Sequence, residues 1–186
     1  ALFDALRAAL GDVQLIAEDL GVITDEVKAL RDGLDVPGMR VLQFAFGADP
    51  GSRAFQPHAF PRRCVVYTAT HDNDTTVGWL NDPITKTDAG ARAQRELMLR
   101  YAGSRGPEPH WDLIRLAMLS VADTCIVPMQ DVLGLGSAAR MNTPATSTGN
   151  WSWRLRLADL PHGTAERLAS LVETYDREGT TPPVTG

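Results

Sequence analysis

Four short apolar runs, three of them closing on a cluster of polar side chains, constrain this 186-residue chain more than any other feature. They are Val13-Gln14-Leu15-Ile16-Ala17, Met39-Arg40-Val41-Leu42-Gln43-Phe44, Cys64-Val65-Val66-Tyr67-Thr68-Ala69 and Thr124-Cys125-Ile126-Val127-Pro128-Met129. Apolar and polar residues do not alternate along them. Strands of that kind are buried on both faces, the habit of parallel sheets covered by helices. Pro128 has no N–H for a ladder, so it marks the end of the fourth run. Helical spacing fills the gaps at 2–10 (closed by Gly11), 24–34, 89–101, 111–122 and 164–175. Thr24 and Thr164 stand where N-caps belong, and Asp25 and Glu26 suit the positive end of a helix dipole. Leu97, Tyr101, Trp111, Ile114, Met118 and Val121 are the expected inward side of the two middle helices.

The predicted order is α-β-α-β-(loop)-β-α-α-β-α. The first three strands recur about every 25 residues, against roughly 30 per unit in a (β/α)8 barrel. A doubly wound open sheet carries the same local pattern, so periodicity leaves both open. The connection 47–63 is long for a passive loop and reads as a binding segment.

Composition narrows the function classes. Hydrophobic residues at 44% and charged residues at 22% fit one globular domain. A net charge of −5 leaves no basic footprint for nucleic acid. No apolar stretch approaches the roughly 18–20 residues of a membrane span. Cys64 and Cys125 sit in apolar runs and read as buried thiols. With no signal-peptide pattern, the expected location is cytoplasmic. The chain opens inside a helix and without Met, so it is expected to be a piece of a larger protein.

The chemistry sits after the strands. Glu18-Asp19 follows the first, Thr70-His71-Asp72-Asn73-Asp74 the third, and Gln130-Asp131 the fourth. In parallel α/β folds these positions meet on one rim. Any one of them alone is as well explained by a solvated loop carboxylate or a helix cap. Together they suggest a site, and two chemistries use such a set. A hard cation could be held by His71, Asp72, Asn73 and Asp74, yet neither the calcium-loop spacing nor a His-Glu-x-x-His helix is present. Glycoside chemistry needs two carboxyl groups flanking the scissile bond, one protonated and one ionised.

Longer stretches carry a resemblance. Leu15-Ile16-Ala17-Glu18-Asp19-Leu20-Gly21-Val22-Ile23-Thr24, Tyr67-Thr68-Ala69-Thr70-His71-Asp72-Asn73-Asp74-Thr75 and Pro128-Met129-Gln130-Asp131-Val132-Leu133-Gly134-Leu135-Gly136 follow one another in order. Arg140-Met141-Asn142-Thr143-Pro144 and Gly149-Asn150-Trp151-Ser152-Trp153-Arg154 come next. In order and spacing they resemble the 4-α-glucanotransferase (amylomaltase) family over nearly the whole chain. The resemblance implies a retaining transglycosylase acting on α-1,4-glucans and maltooligosaccharides, without a cofactor. It implies Glu18 as general acid/base and Asp72 as transition-state stabiliser. His71 and Asn142, with Asp19 and Asn73 beside them, would contact sugar. The loop around Asp49 and His58 would lie near the donor and acceptor subsites, while Trp151 and Trp153 are expected to pack rather than stack on sugar.

The implied fold is the C-terminal half of a (β/α)8 barrel over residues 1–178, with a frayed tail at 179–186. The nucleophilic aspartate would lie on the strand before this chain. The isolated chain is therefore expected to need the N-terminal half of the barrel as partner and to be inactive alone. Thr143 and Ala145 depart from the family pattern, which has an aromatic residue and Gly there. Two rival readings stand beside this one: a related α-glucan hydrolase or debranching enzyme, and a non-catalytic glucan-binding or assembly fragment.

Overall fold

The computed structural model describes residues 2–11, 13–83 and 87–179. Its sheet has three parallel strands in the order β1-β2-β3: Gly38–Val41 (β1), Cys64–Tyr67 (β2) and Thr124–Ile126 (β3). Val41 registers with Tyr67 and Tyr67 with Ile126, so the three strands end at one level. The α-helices are Leu2–Leu10 (α1), Asp25–Gly33 (α2), Thr76–Asn81 (α3), Ala89–Ala102 (α4), Pro109–Leu119 (α5), Met129–Val132 (α6) and Thr164–Thr174 (α7). The chain is thus α/β with a parallel sheet.

The first predicted strand, 13–17, is the main departure. It touches the sheet at one parallel bridge, Ala17 to Gly38, where the Ala17 N–H donates to the Pro37 carbonyl at 2.9 Å. Val13 and Ile16 are exposed, and neither α1 nor α2 buries a residue. An apolar run with no layer over it has little to hold it in a ladder. The other strands are shorter than predicted for local reasons. Leu42–Phe44 tightens into a 3-10 turn, and β3 stops before Pro128, leaving Thr68 and Ala69 without ladder partners. Burial on both faces holds for β1 and β2, while β3 stays open.

The core lies between the sheet and α3–α5. Leu42, Phe46, Val66, Leu80, Met98 and Leu113 form its centre. A second cluster joins Trp111, Ile114, Met118 and Val132 to the predicted face of α7: Leu168, Leu171, Val172 and Tyr175. Helix α5 serves both, with Leu113 on one side and Ile114 on the other. Carbonyls at its C-terminus and in the turn beyond are satisfied from the far end of the chain: the Arg177 guanidinium donates to Met118 O (2.7 Å), Ser120 O (2.5 Å) and Ala122 O. Val121 falls beyond the end of α5 and is exposed, contrary to expectation. The α7 cap is Gly163, at φ 82°, rather than Thr164, which is the first helical residue. Cys64 and Cys125 are free thiols, as read, and burial pushes both up to about 11. The expected frayed tail falls at 180–186, outside the described residues.

Leu113 is fully buried in the first cluster. Leu113→Ala should cost about 2–5 kcal/mol of unfolding free energy, read as a lower urea midpoint with unchanged slope.

Candidate active site at the strand ends

The loop from β2 to α3 is folded by its own side chains. The Asn73 side-chain oxygen accepts from the Thr70 N–H at 2.9 Å and from the Thr70 hydroxyl at 2.8 Å. With the Asn73 N–H donating to Thr70 O at 3.2 Å, these bonds close a β-turn over 70–73 that lifts His71 and Asp72 to the tip, with side chains 52% and 48% exposed. Thr75 caps α3 by accepting from the Gly78 N–H at 3.0 Å. The Asp74 carboxylate accepts from the Thr75 N–H (2.7 Å) and the Ser137 hydroxyl (2.6 Å). Gly78 is required here, because a Cβ would lie 2.5 Å from oxygens of both Asp74 and Ser137.

Segment 137–151 meets the tip from outside. The Arg140 guanidinium donates to the backbone oxygens of Asp72 (2.7 Å) and Asn142 (2.8 Å). The Asn142 N–H donates to His71 O at 3.1 Å, and its side-chain amide donates to Asp72 Oδ1 at 2.5 Å. His71 Nε2 lies 3.4 Å from that same carboxylate oxygen. The Trp151 ring stands 5.0 Å from the His71 ring, tilted by 41°. Asp72 is therefore flanked by an amide donor and an imidazole, while its second oxygen belongs to the half-exposed face of the carboxylate.

Beneath the tip, Asp131 follows β3 in the first turn of α6. It is buried, and its carboxylate accepts from the Thr68 hydroxyl, the Thr76 N–H and the Thr76 hydroxyl at 2.5, 2.7 and 2.9 Å. Burial pushes its titration upward, and the three hydrogen bonds pull against that. His110 faces it from the start of α5, and burial holds that imidazole below its usual value.

Glu18, His71, Asp72 and Asn73 line one cavity of about 400 Å3, walled by Phe44, Tyr67 and Ile126. The size lies within the range of small-molecule sites, roughly 300–1,000 Å3. Glu18 reaches it from just past the Ala17 bridge, and the others from the ends of β1, β2 and β3. The strand ends thus converge on one cavity, but its acidic lining comes from Glu18 and Asp72 alone and not from the Gln130-Asp131 pair after β3. A second cavity of about 180 Å3 lies across the loop, lined by Asn73, Asp74, Asp131, Arg140 and Trp151 among others. Among the described residues, no group of three or more His, Cys, Asp or Glu side chains is arranged to hold a metal ion.

Some expected residues are placed elsewhere. Asp19 does not line the cavity. Its carboxylate accepts from the Met39 N–H at 2.7 Å, pairs with Arg31, and lies 3.5 Å from Arg40. With a side chain 6% exposed, it ties α2 to the start of β1, and a Cβ on Gly38 would run into it. Its expected sugar contact gives way to this structural pairing. Asp131, expected on the rim, is buried below it. Asp49 accepts from the Gly51 N–H at 2.6 Å, and His58 Nδ1 meets the Tyr101 hydroxyl at 2.9 Å, so both stabilise the 47–63 segment itself. Trp151, expected to pack, is 54% exposed beside His71.

Phe44 was missed as a cavity residue. It stands edge-on to Phe55 at 5.5 Å, and its position at the C-terminal end of a strand was the available signal. The departures at 143 and 145 also find a place. The Thr143 N–H donates to the Asn150 side chain at 2.9 Å. Ala145 holds φ at 62°, a left-handed conformation that costs a non-glycine residue about 1–2 kcal/mol.

The family model described as 4-alpha-glucanotransferase matches residues 1–159. The chain belongs to the 4-alpha-glucanotransferase family. It is 47% identical over 178 residues to the Synechocystis sp. 4-alpha-glucanotransferase, covering 94% of this chain and 34% of that protein. The Thermus thermophilus 4-alpha-glucanotransferase is 45% identical over 184 residues, covering 95% of this chain and 35% of its own length. Among solved structures, the amylomaltase from Streptococcus agalactiae in complex with acarbose superposes with a TM-score of 0.82 at 31% identity, covering 94% of this chain and 34% of that one. The chain therefore spans about a third of the length of these members of the 4-alpha-glucanotransferase family.

Proposed function

We propose that this chain forms part of a 4-α-glucanotransferase, which moves a segment of an α-1,4-glucan to the 4-hydroxyl of an acceptor glucose or glucan. The observation that carries the reading is the shared cavity: Glu18 opens into the same space as Asp72 and His71, at the C-terminal ends of parallel strands. Within the reaction, Glu18 gives a proton to the leaving glycosidic oxygen and later takes one from the acceptor hydroxyl. Asp72, ionised and steadied by the Asn142 amide, faces the positive charge that develops on the sugar ring. His71, Asn142 and Asn73 hold sugar hydroxyls.

The family's retaining mechanism needs a second carboxylate as nucleophile. The reading assigns that group to a part of the longer enzyme outside these residues, consistent with a match to about a third of its relatives. The finer architecture follows the same line. We read the three parallel strands, with the one parallel bridge at Ala17 beside them, as an arc in the C-terminal half of a (β/α)8 barrel; the parallel order and the succession of motifs support this. The uncovered apolar side chains of α1 and α2 suit a surface that the rest of the barrel overlies.

The test is maltotriose incubated with this chain alone and with the longer enzyme that contains it. Products are followed by thin-layer chromatography. The longer enzyme should yield glucose and a ladder of longer maltodextrins, and the chain alone should yield neither. Shorter sugars only would favour a hydrolase. A ladder from the chain alone would remove the assigned nucleophile from its place.

A further inference from the structure

We propose that Asp131 is a positioning residue: its buried carboxylate clamps both ends of the loop that presents His71 and Asp72, and so sets where those groups stand. The inference rests on the glucan-transfer reading of the site and deepens it.

The loop leaves β2 at Thr68 and enters α3 at Thr76. Asp131 accepts from the Thr68 hydroxyl at 2.5 Å, and from the Thr76 N–H and hydroxyl at 2.7 and 2.9 Å. One side chain therefore closes the base of the loop. Asp131 is itself fixed, its N–H donating to Pro128 O at 3.0 Å just past β3. The clamp thus references the loop to the neighbouring strand.

A carboxylate suits this place because three donors converge on it. Ionised Asp offers acceptors only, whereas Asn would turn an NH2 group toward one of the donors. The choice is costly. Asp131 is 1% exposed, and among the described residues no Arg or Lys forms an ion pair with it. A buried charge of this kind stabilises a fold poorly compared with a well-packed apolar residue. What its hydrogen bonds do secure is the loop, whose half-exposed tip has no core packing of its own. A shift at the base is carried to His71 and Asp72, where a displacement of roughly 1 Å can cost about 100-fold in rate.

The test uses the longer enzyme, with Asp131→Asn made alone and in an Asp72→Asn background. Positioning predicts a fall of about 100-fold in kcat in an enzyme that still folds, with a thermal midpoint that falls because one buried donor then meets the asparagine NH2. It also predicts that the same change costs at least about tenfold less once Asp72 is already neutral, because of the two groups being positioned only His71 remains. A folded Asp131→Asn enzyme within about twofold of the parent kcat overturns the proposal, as does an equal loss in both backgrounds. Should Asp131→Asn fail to fold, Thr68→Val removes one donor without burying a new polar group, and the same pair of backgrounds is read. If the parent enzyme transfers no glucan, the functional reading falls on its own. The clamp is then read by NMR of the same enzyme: selective movement of the His71 ring and Trp151 indole signals on Asp131→Asn supports it, and unmoved signals overturn it.

Discussion

Glu18→Gln in the longer enzyme should lower maltotriose disproportionation by about 10³–10⁴-fold, the upper end of what a positioned acid/base contributes. Glutamine keeps the shape of glutamate but can neither release nor take up a proton at neutral pH. A glucan 4-oxygen is a poor leaving group unless protonated, and an acceptor 4-hydroxyl is a poor nucleophile unless deprotonated. Both halves of the reaction therefore lose the same residue. Glu18 is exposed at the cavity, so the substitution should leave the unfolding midpoint unchanged. A donor with an activated leaving group, such as an aryl maltoside, needs less help in the first step and should lose markedly less of its glycosylation rate. Turnover is read by glucose release. Retention of more than about a tenth of the parent rate would remove Glu18 from the acid/base role.

Asp72→Asn should lower kcat by about 10²–10³-fold, the scale of removing one electrostatic partner of a transition state. The geometry favours this substitution over truncation. The Asn142 amide donates to Asp72 Oδ1 at 2.5 Å, and the side-chain carbonyl oxygen of the substituted asparagine can accept the same bond. Arg140 holds this position through its backbone oxygen, which does not change. What disappears is the negative charge facing the sugar. The loss should therefore fall on kcat more heavily than on KM, because the ring carries far less charge in the ground state. Steady-state kinetics across donor concentration reads the split. A large rise in KM with kcat intact would make Asp72 a ground-state sugar ligand instead.

The parallel α/β frame was legible because its strands are apolar runs whose polar ends fall on one level. Tyr67 and Ile126 register together, and Glu18, Asp72 and Phe44 follow such ends. Helix faces read from spacing were right where a second layer exists, as for Leu168, Leu171 and Tyr175 on α7. They failed at Val121, where Ser120 ends the helix before the period does. The run 13–17 has the composition of a strand but only one bridge, because pairing depends on neighbours that composition does not encode.

The side-chain roles were harder for a related reason. Asp19, Asp74 and Asp131 look alike in the sequence, each following a strand beside a candidate site residue. Their differences come from distant partners: Arg31 for Asp19, Ser137 for Asp74, and Thr68 with Thr76 for Asp131. Carboxylates that meet partners of that kind hold the structure, whereas Glu18 and Asp72 open into the cavity. Trp151 packs, but against the site's own His71, a contact that spans 80 residues of chain.

The most direct test of the account is the fate of a labelled acceptor. The longer enzyme is incubated with maltotriose and uniformly ¹³C-labelled glucose, and the products are separated and weighed by mass spectrometry. The account predicts label at the reducing end of maltotriose first and, as longer donors form by repeated transfer, of longer glucans, and none of that incorporation after Glu18→Gln. Label remaining in glucose while maltotriose is cut to shorter sugars would contradict it, because water rather than a glucan hydroxyl would then be the acceptor at this site.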